Sequence, residues 1–243
     1  MRISVIGYGT VGKAQTFLLR RLGHEVFIFD PYLFPTVESP EKNVDFTFIC
    51  TPEHAVDETV QKLIRENVDC LYVVKSTVSV GTTEELSKKY GVHILHNPEF
   101  LRENYANEDV LNPDRIIIGQ CCSEHAEKLV SLYMPMNKPI FVTDPTVSEA
   151  AKLLSNSYLA VLITFWNEAN ELAEKLGVNI KKVAELVRAD HRVSAYGTHK
   201  FGQPFGGKCL PSNVDQLINA FHSQGLNPLL FEAVKKYNLK LQK

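Results

Sequence analysis

Met1-Arg2-Ile3-Ser4-Val5-Ile6-Gly7-Tyr8-Gly9-Thr10-Val11-Gly12 decides the fold of this chain. Residues 2–6 are an apolar run that reads as a strand, and residues 10–22 have the periodicity of an amphipathic helix. Three glycines at G-x-G-x-x-G spacing occupy the turn between them. In that setting the first glycine, Gly7, allows the tight turn, and Gly9 admits a pyrophosphate. Gly12 lets helix and sheet pack closely. Thr10 and Val11 open the helix, whose free N–H groups face the phosphates of a dinucleotide. Asp30 ends the next strand, eighteen positions beyond Gly12, where a carboxylate binds the ribose hydroxyls of NAD. Pro31 and Tyr32 follow it rather than an arginine, which disfavours the extra phosphate of NADP.

Working outward, strands at 25–30, 46–50, 70–75, 92–95, 115–119 and 139–143 alternate with helices near 54–66, 82–90 and 124–133. Pro31, Pro35 and Pro40 leave little room for a helix between the second and third strands. The pattern predicts a Rossmann-type doubly wound α/β domain with a parallel sheet covered on both faces. Thr51-Pro52 and Ser76-Thr77 close the third and fourth strands, at the carboxyl ends where such sheets bind ligands. Thr77 by itself reads equally as a helix cap.

The character changes at Pro145. From Val147 to Leu176 there is neither proline nor glycine, so one long helix runs to Gly177. Helices near 180–188, 212–223 and 228–240 follow, with an irregular glycine-rich interval at 190–211. The expected organisation is a cofactor domain at 1–144 and a small all-helical domain at 145–243. The long helix carries more apolar positions than one face needs, which predicts a homodimer through it.

Composition sets further bounds. The 243 residues are 44% hydrophobic and 22% charged with a formal net charge of -2, which gives no support for nucleic-acid or membrane-surface binding. No apolar run reaches the length of a membrane span, and the N-terminal strand leaves no room for a signal peptide. The five cysteines are odd in number and lack metal-ligand spacing, so a reducing cytoplasm and no metal are expected. Cys121-Cys122 reads as a small apolar pair at a strand end. Cys209, in Phe205-Gly206-Gly207-Lys208-Cys209-Leu210-Pro211, sits alone on a glycine-rich turn beside a lysine that favours the thiolate. It reads as a small loop thiol or as a nucleophile.

Lys75-Ser76-Thr77-Val78 with Gly81-Thr82, then Asn97-Pro98-Glu99-Phe100-Leu101-Arg102-Glu103, Asn112-Pro113-Asp114-Arg115-Ile116-Ile117-Ile118-Gly119 and the Cys209 segment form an ordered series. In that series the chain resembles the UDP-glucose/GDP-mannose dehydrogenase family over residues 1 to about 220. The resemblance implies oxidation of the primary alcohol of a sugar or nucleotide sugar to a carboxylate, with two NAD per turnover. It implies that Cys209 holds the aldehyde as a thiohemiacetal and then as a thioester. Lys152 and Asn156, at i, i+4 on the long helix, match a pair that stabilises an oxyanion, although a lone helix lysine is ordinarily solvated. Glu99 and Glu103 resemble carboxylates that handle water and sugar, with Phe100 and Leu101 between them, and Gly206 borders the substrate. Thr77 resembles a hydroxyl that orients the water. Arg192 resembles an arginine that reaches a neighbouring subunit, in a register that needs a one-residue insertion before Cys209.

Three departures stand out. Where the family continues Cys-Phe-Pro-Lys-Asp, this chain reads Cys209-Leu210-Pro211-Ser212-Asn213, and Asn213 lacks the charge of the usual aspartate. The segment after Asp30 is short. Only thirty residues follow Asn213, so the family's second α/β domain, which binds the nucleotide of the substrate, is expected to be absent. Two other readings remain: a β-hydroxyacid dehydrogenase using Lys152 and Asn156, and an NAD-binding relative without turnover.

Overall fold

The structure is a computed structural model and describes residues 1–198, 201–207 and 209–242. It divides into two compact units, Met1–Lys152 and Leu153–Lys243.

The first unit is built on a seven-stranded sheet: β1 (Arg2–Ile6), β2 (Glu25–Phe29), β3 (Phe46–Ile49), β4 (Leu71–Val74), β5 (Ile94–His96), β6 (Ile116–Gly119) and β7 (Ile140–Thr143). The spatial order is β2-β1-β3-β4-β5-β6-β7. Helices α1 (Thr10–Arg21), α2 (Val56–Arg65), α3 (Thr82–Tyr90), α4 (Ala106–Leu111) and α5 (Ser123–Tyr133) lie between strands. Strand residues alternate between two apolar layers, because successive side chains of a strand point to opposite faces. Ile3, Val5, Phe46, Phe48, Val73 and Leu95 pack with Leu18 and Leu19 of α1 and Leu129 and Leu132 of α5. Ile6, Ile49, Tyr72, Val74 and Ile94 pack with Val60 and Leu63 of α2 and Leu86 of α3. Both faces are thus covered, as the doubly wound reading requires.

One pairing departs from the parallel expectation. His96 of β5 faces Gly119 of β6 in antiparallel sense, and β7 then runs parallel to β6. Among the described residues, no helix joins β2 to β3, in keeping with the three prolines.

Helix α6 (Pro145–Leu176) leads into the second unit, which adds α7 (Ile180–Arg188), α8 (Cys209–Ser223) and α9 (Leu229–Leu241). Gly177 closes α6 with φ +66°, the left-handed position that ends many helices. The core of this unit joins Ala160, Phe205, Val214, Ile218 and Val234.

The start of α8 corrects one expectation. Cys209 is the first residue of this helix rather than part of the irregular interval, and the helix begins before Pro211 instead of after it. Proline stops a helix only where its missing N–H and bulky ring meet a preceding turn. At the third position there is no such turn.

Candidate active site

The cofactor end of the first unit follows from steric necessity. Gly7 has φ +87°, and a Cβ there would lie 3.0 Å from the carbonyl of Cys50. At Gly12 a Cβ would sit 1.9 Å from the Gly7 carbonyl oxygen, so the turn and the helix approach only without side chains. Gly9 differs, because a Cβ there would meet nothing within 4 Å. It opens on space, at the N-cap of α1, where no side chain caps the helix.

Asp30 follows β2, and its carboxylate accepts hydrogen bonds from the N–H groups of Tyr8 (2.7 Å), Tyr32 (3.1 Å) and Leu33 (3.2 Å). These bonds hold the side chain against the glycine turn. Ser76 Oγ donates to the Thr51 carbonyl (2.5 Å), tying the ends of β3 and β4 together beside Pro52. Thr51 Oγ1 is buried with no protein partner among the described residues. The open Gly9, the uncapped helix and the strand-end carboxylate fit a dinucleotide.

Beside this edge lies a buried polar network. Lys152 Nζ, at the end of the first unit, donates to Glu99 Oε1 at 2.9 Å, and Glu99 Oε2 accepts from the Leu101 N–H at 2.6 Å. The Lys152 ammonium also lies 5.1 Å from the centre of the Phe100 ring, whose other cation neighbour is Arg115 at 4.2 Å. Asn97 Oδ1 accepts from both Lys75 Nζ (2.9 Å) and Tyr133 Oη (2.6 Å), and Gln15 of α1 donates to Tyr133 Oη (3.1 Å). Burial pushes Lys75 down to about 8. It also pushes the His96 imidazole down to about 3, so this ring stays neutral while contacting Ser148 Oγ at 2.8 Å.

Sequence reasoning did not find Glu149. This fully buried carboxyl accepts from the N–H groups of Gly81 (2.6 Å) and Thr83 (2.8 Å) and from Thr83 Oγ1 (2.5 Å). It thereby satisfies N–H groups at the start of α3. Its one legible signal was position, on the helix that also carries Lys152.

Of the other expected residues, Thr77 is half-buried just past β4. Glu103 is exposed and opens a short 3-10 turn, four residues after Glu99.

In the second unit, Cys209 is exposed at the start of α8, with Asn213 one helical turn further on. Asn156 Nδ2 donates to Asn213 Oδ1 at 2.6 Å, and Asn213 is buried. The approach to the thiol is clamped. Asn238 accepts from the Phe205 N–H (2.8 Å) and donates to the Phe205 carbonyl (3.0 Å). Phe205 itself is buried, while a Cβ on Gly206 would meet nothing within 4 Å. Lys208, the residue expected to favour the thiolate, lies outside the described residues. Arg192 is exposed and paired with Asp190, its Nε 3.0 Å from the carboxylate. Burial pushes the Cys50 thiol up to about 12 and that of Cys70 up to about 11, which removes both as nucleophiles at neutral pH.

A glycine turn at the switch from strand to helix, with a carboxylate at the next strand end, places this chain in the dinucleotide-binding class. Comparison then narrows the class. Residues 31–137 match the NAD binding domain of the UDP-glucose/GDP-mannose dehydrogenase family, and residues 146–240 match its central domain. The UDP-glucose 6-dehydrogenase of Rickettsia typhi is 32% identical over 98% of this chain and 67% of its own length. UDP-glucose 6-dehydrogenase YwqF of Bacillus subtilis is 33% identical over 90% of this chain and 61% of its own. The structure of a UDP-glucose dehydrogenase from Pyrobaculum islandicum superposes with a TM-score of 0.88 at 30% identity, over 98% of this chain and 68% of that one. The chain belongs to the UDP-glucose/GDP-mannose dehydrogenase family, and its cofactor is NAD. It spans about two thirds of the length of these relatives.

Proposed function

We propose that the chain oxidises the primary alcohol of a nucleotide sugar to a carboxylate in two steps, with Cys209 as the covalent carrier. The observation that supports this most is the exposed thiol on the first turn of α8, next to the Asn156–Asn213 pair. NAD, held at Gly7, Gly9, Gly12 and Asp30, supplies a hydride acceptor for each step.

In the first oxidation the alcohol loses a hydride and a proton and becomes an aldehyde. The Cys209 sulfur then adds to the aldehyde carbon, giving a thiohemiacetal. Loss of a second hydride and of the hydroxyl proton leaves a thioester, which water cleaves to the acid and the free thiol. The thiolate is the form that makes this addition. Lys152 and Asn156 stabilise oxygen that becomes negative, Lys152 through its ammonium and Asn156 through its amide N–H. Glu99, paired with Lys152, and Thr77 position the water. Asn213 accepts the Asn156 hydrogen bond as an aspartate would but takes up no proton, which makes thioester hydrolysis the slow step.

The test is a panel of UDP-, GDP- and unactivated sugars with NAD, following NADH by absorbance and identifying products by mass. Turnover of a nucleotide sugar to its acid supports the proposal. Reaction only with small β-hydroxy acids would replace it by the hydroxyacid reading, and cofactor binding without turnover on any sugar by the non-catalytic one.

A further inference from the structure

The end of the sheet remote from the cofactor holds a cluster that the proposed chemistry does not use. His93, Cys121, Cys122 and His125 bring their donor atoms within 4.8 Å of one another. Cys121 Sγ is 3.5 Å from His125 Nδ1, and the rings of His93 and His125 meet edge to face with centroids 4.5 Å apart. The antiparallel join explains how they meet. His96 faces Gly119, and the chain leaving this pair on either side carries His93 and Cys121–Cys122 to the same end of the sheet. Cys121 and His125 lie four residues apart where α5 begins, so one turn of chain sets thiol and imidazole side by side. A pair of cysteines that reads as small apolar residues in sequence thus acquires two histidines, one from across the sheet. That long-range ligand is why the cysteine spacing shows no metal signature.

We propose that these four side chains bind one zinc-class divalent ion. Two thiolates and two imidazoles are a donor set that selects tetrahedral zinc. Zinc bonds of about 2.0–2.3 Å place such donors roughly 3.3–3.8 Å apart, so the cluster closes by about 1 Å on the ion. Cys121, Cys122 and His125 are half-buried, and His93 is exposed, which leaves an entry path. His93 and His125 also line an open cleft of about 530 Å³ bordered by Met1, Phe46 and Leu71, at the amino ends of β1, β3 and β4. The dinucleotide turn lies at the opposite, carboxyl ends. The ion is therefore structural and takes no part in hydride transfer. It joins the segment before β5 to the β6–α5 junction, across the one strand pair of the sheet joined through a single residue pair, His96 with Gly119.

The test uses the full chain, purified from zinc-supplemented culture and dialysed, with metal content measured by mass spectrometry. One zinc per chain is expected. Replacement by Co2+ should give the intense visible bands of a tetrahedral site with thiolate-to-cobalt charge transfer. Cys122→Ser and His93→Ala should lower metal affinity by tenfold or more, while Cys209→Ser, outside the cluster, retains one zinc. Removing the ion should lower the melting temperature and leave NAD affinity within twofold. If a cysteine variant fails to fold, the cobalt spectrum of the unmodified protein and the surface variant His93→Ala still decide. Metal well below one per chain, octahedral cobalt bands, or full metal retention by His93→Ala and Cys122→Ser would overturn the proposal.

Discussion

Lys152 donates to Glu99 across 2.9 Å with both side chains almost fully buried, at 3% and 8% exposure. Surface pairs contribute little, but a charge left alone in such surroundings is costly. Lys152→Ala should therefore destabilise the folded state by about 3–5 kcal/mol, because Glu99 loses its counter-charge. The double variant Lys152→Met, Glu99→Leu should recover most of that loss. Urea denaturation of the three proteins checks this, and an additive loss in the double variant would show that the two groups are not coupled.

Asp30 should set cofactor choice. Its carboxylate is tied to the backbone of Tyr8, Tyr32 and Leu33, so it should keep its place at the proposed ribose position and repel a phosphate there. NAD should bind at least tenfold more tightly than NADP, a difference of about 1.4 kcal/mol. Asp30→Ala should narrow the gap chiefly by weakening NAD. Calorimetric titration with both cofactors measures it.

Lys75 gives a pH signature. Burial lowers its folded-state value to about 8, below the ordinary lysine range, so folding opposes its protonation. Its contribution to stability is therefore fully present above the unfolded value and falls as pH drops through about 8. Lys75→Met, which leaves Asn97 bonded to Tyr133, should gain stability relative to the unmodified protein as pH falls from 10 toward 7. Paired denaturation curves across that range should converge or cross. Parallel curves would mean that the lysine titrates normally.

The exposed apolar residues of α6 predict association. Leu154, Tyr158, Phe165, Leu172 and Leu176 are each roughly half exposed or more, at spacings of four and seven that keep them on one helix face. The homodimer inferred from this stripe should appear in light scattering at micromolar concentration. Phe165→Glu with Leu172→Glu should yield a monomer that retains its helical circular dichroism. An unmodified protein that is already monomeric would refute the dimer.

How much of this was legible in sequence differs by element. Strand and helix periodicity carried the sheet, because β1 to β5 feed two apolar layers and most strand residues are apolar. Glycine spacing carried the cofactor turn, since only a missing Cβ tolerates the contacts at Gly7 and Gly12. The reversal at β5–β6 was not legible, because strand direction depends on the path of residues 97–115 and not on the strand residues themselves. Glu149, Lys75 and the four-ligand cluster draw their character from partners tens of residues away. Cys209 is legible as a residue but not in its element, because the glycine-rich interval reads as irregular to residue 211 while Pro211 belongs to the first turn of α8.

The central claim is that one thiol carries the substrate through two oxidations, and the ratio of NADH to sugar acid tests it most directly. Unmodified protein with its nucleotide sugar should form two NADH for each acid, with a transient mass adduct on Cys209 in intact-protein spectra. Cys209→Ser should bind NAD as before and form no acid, since an alkoxide is a poor nucleophile and leaving group here. One NADH per product, or undiminished acid from Cys209→Ser, would contradict the account.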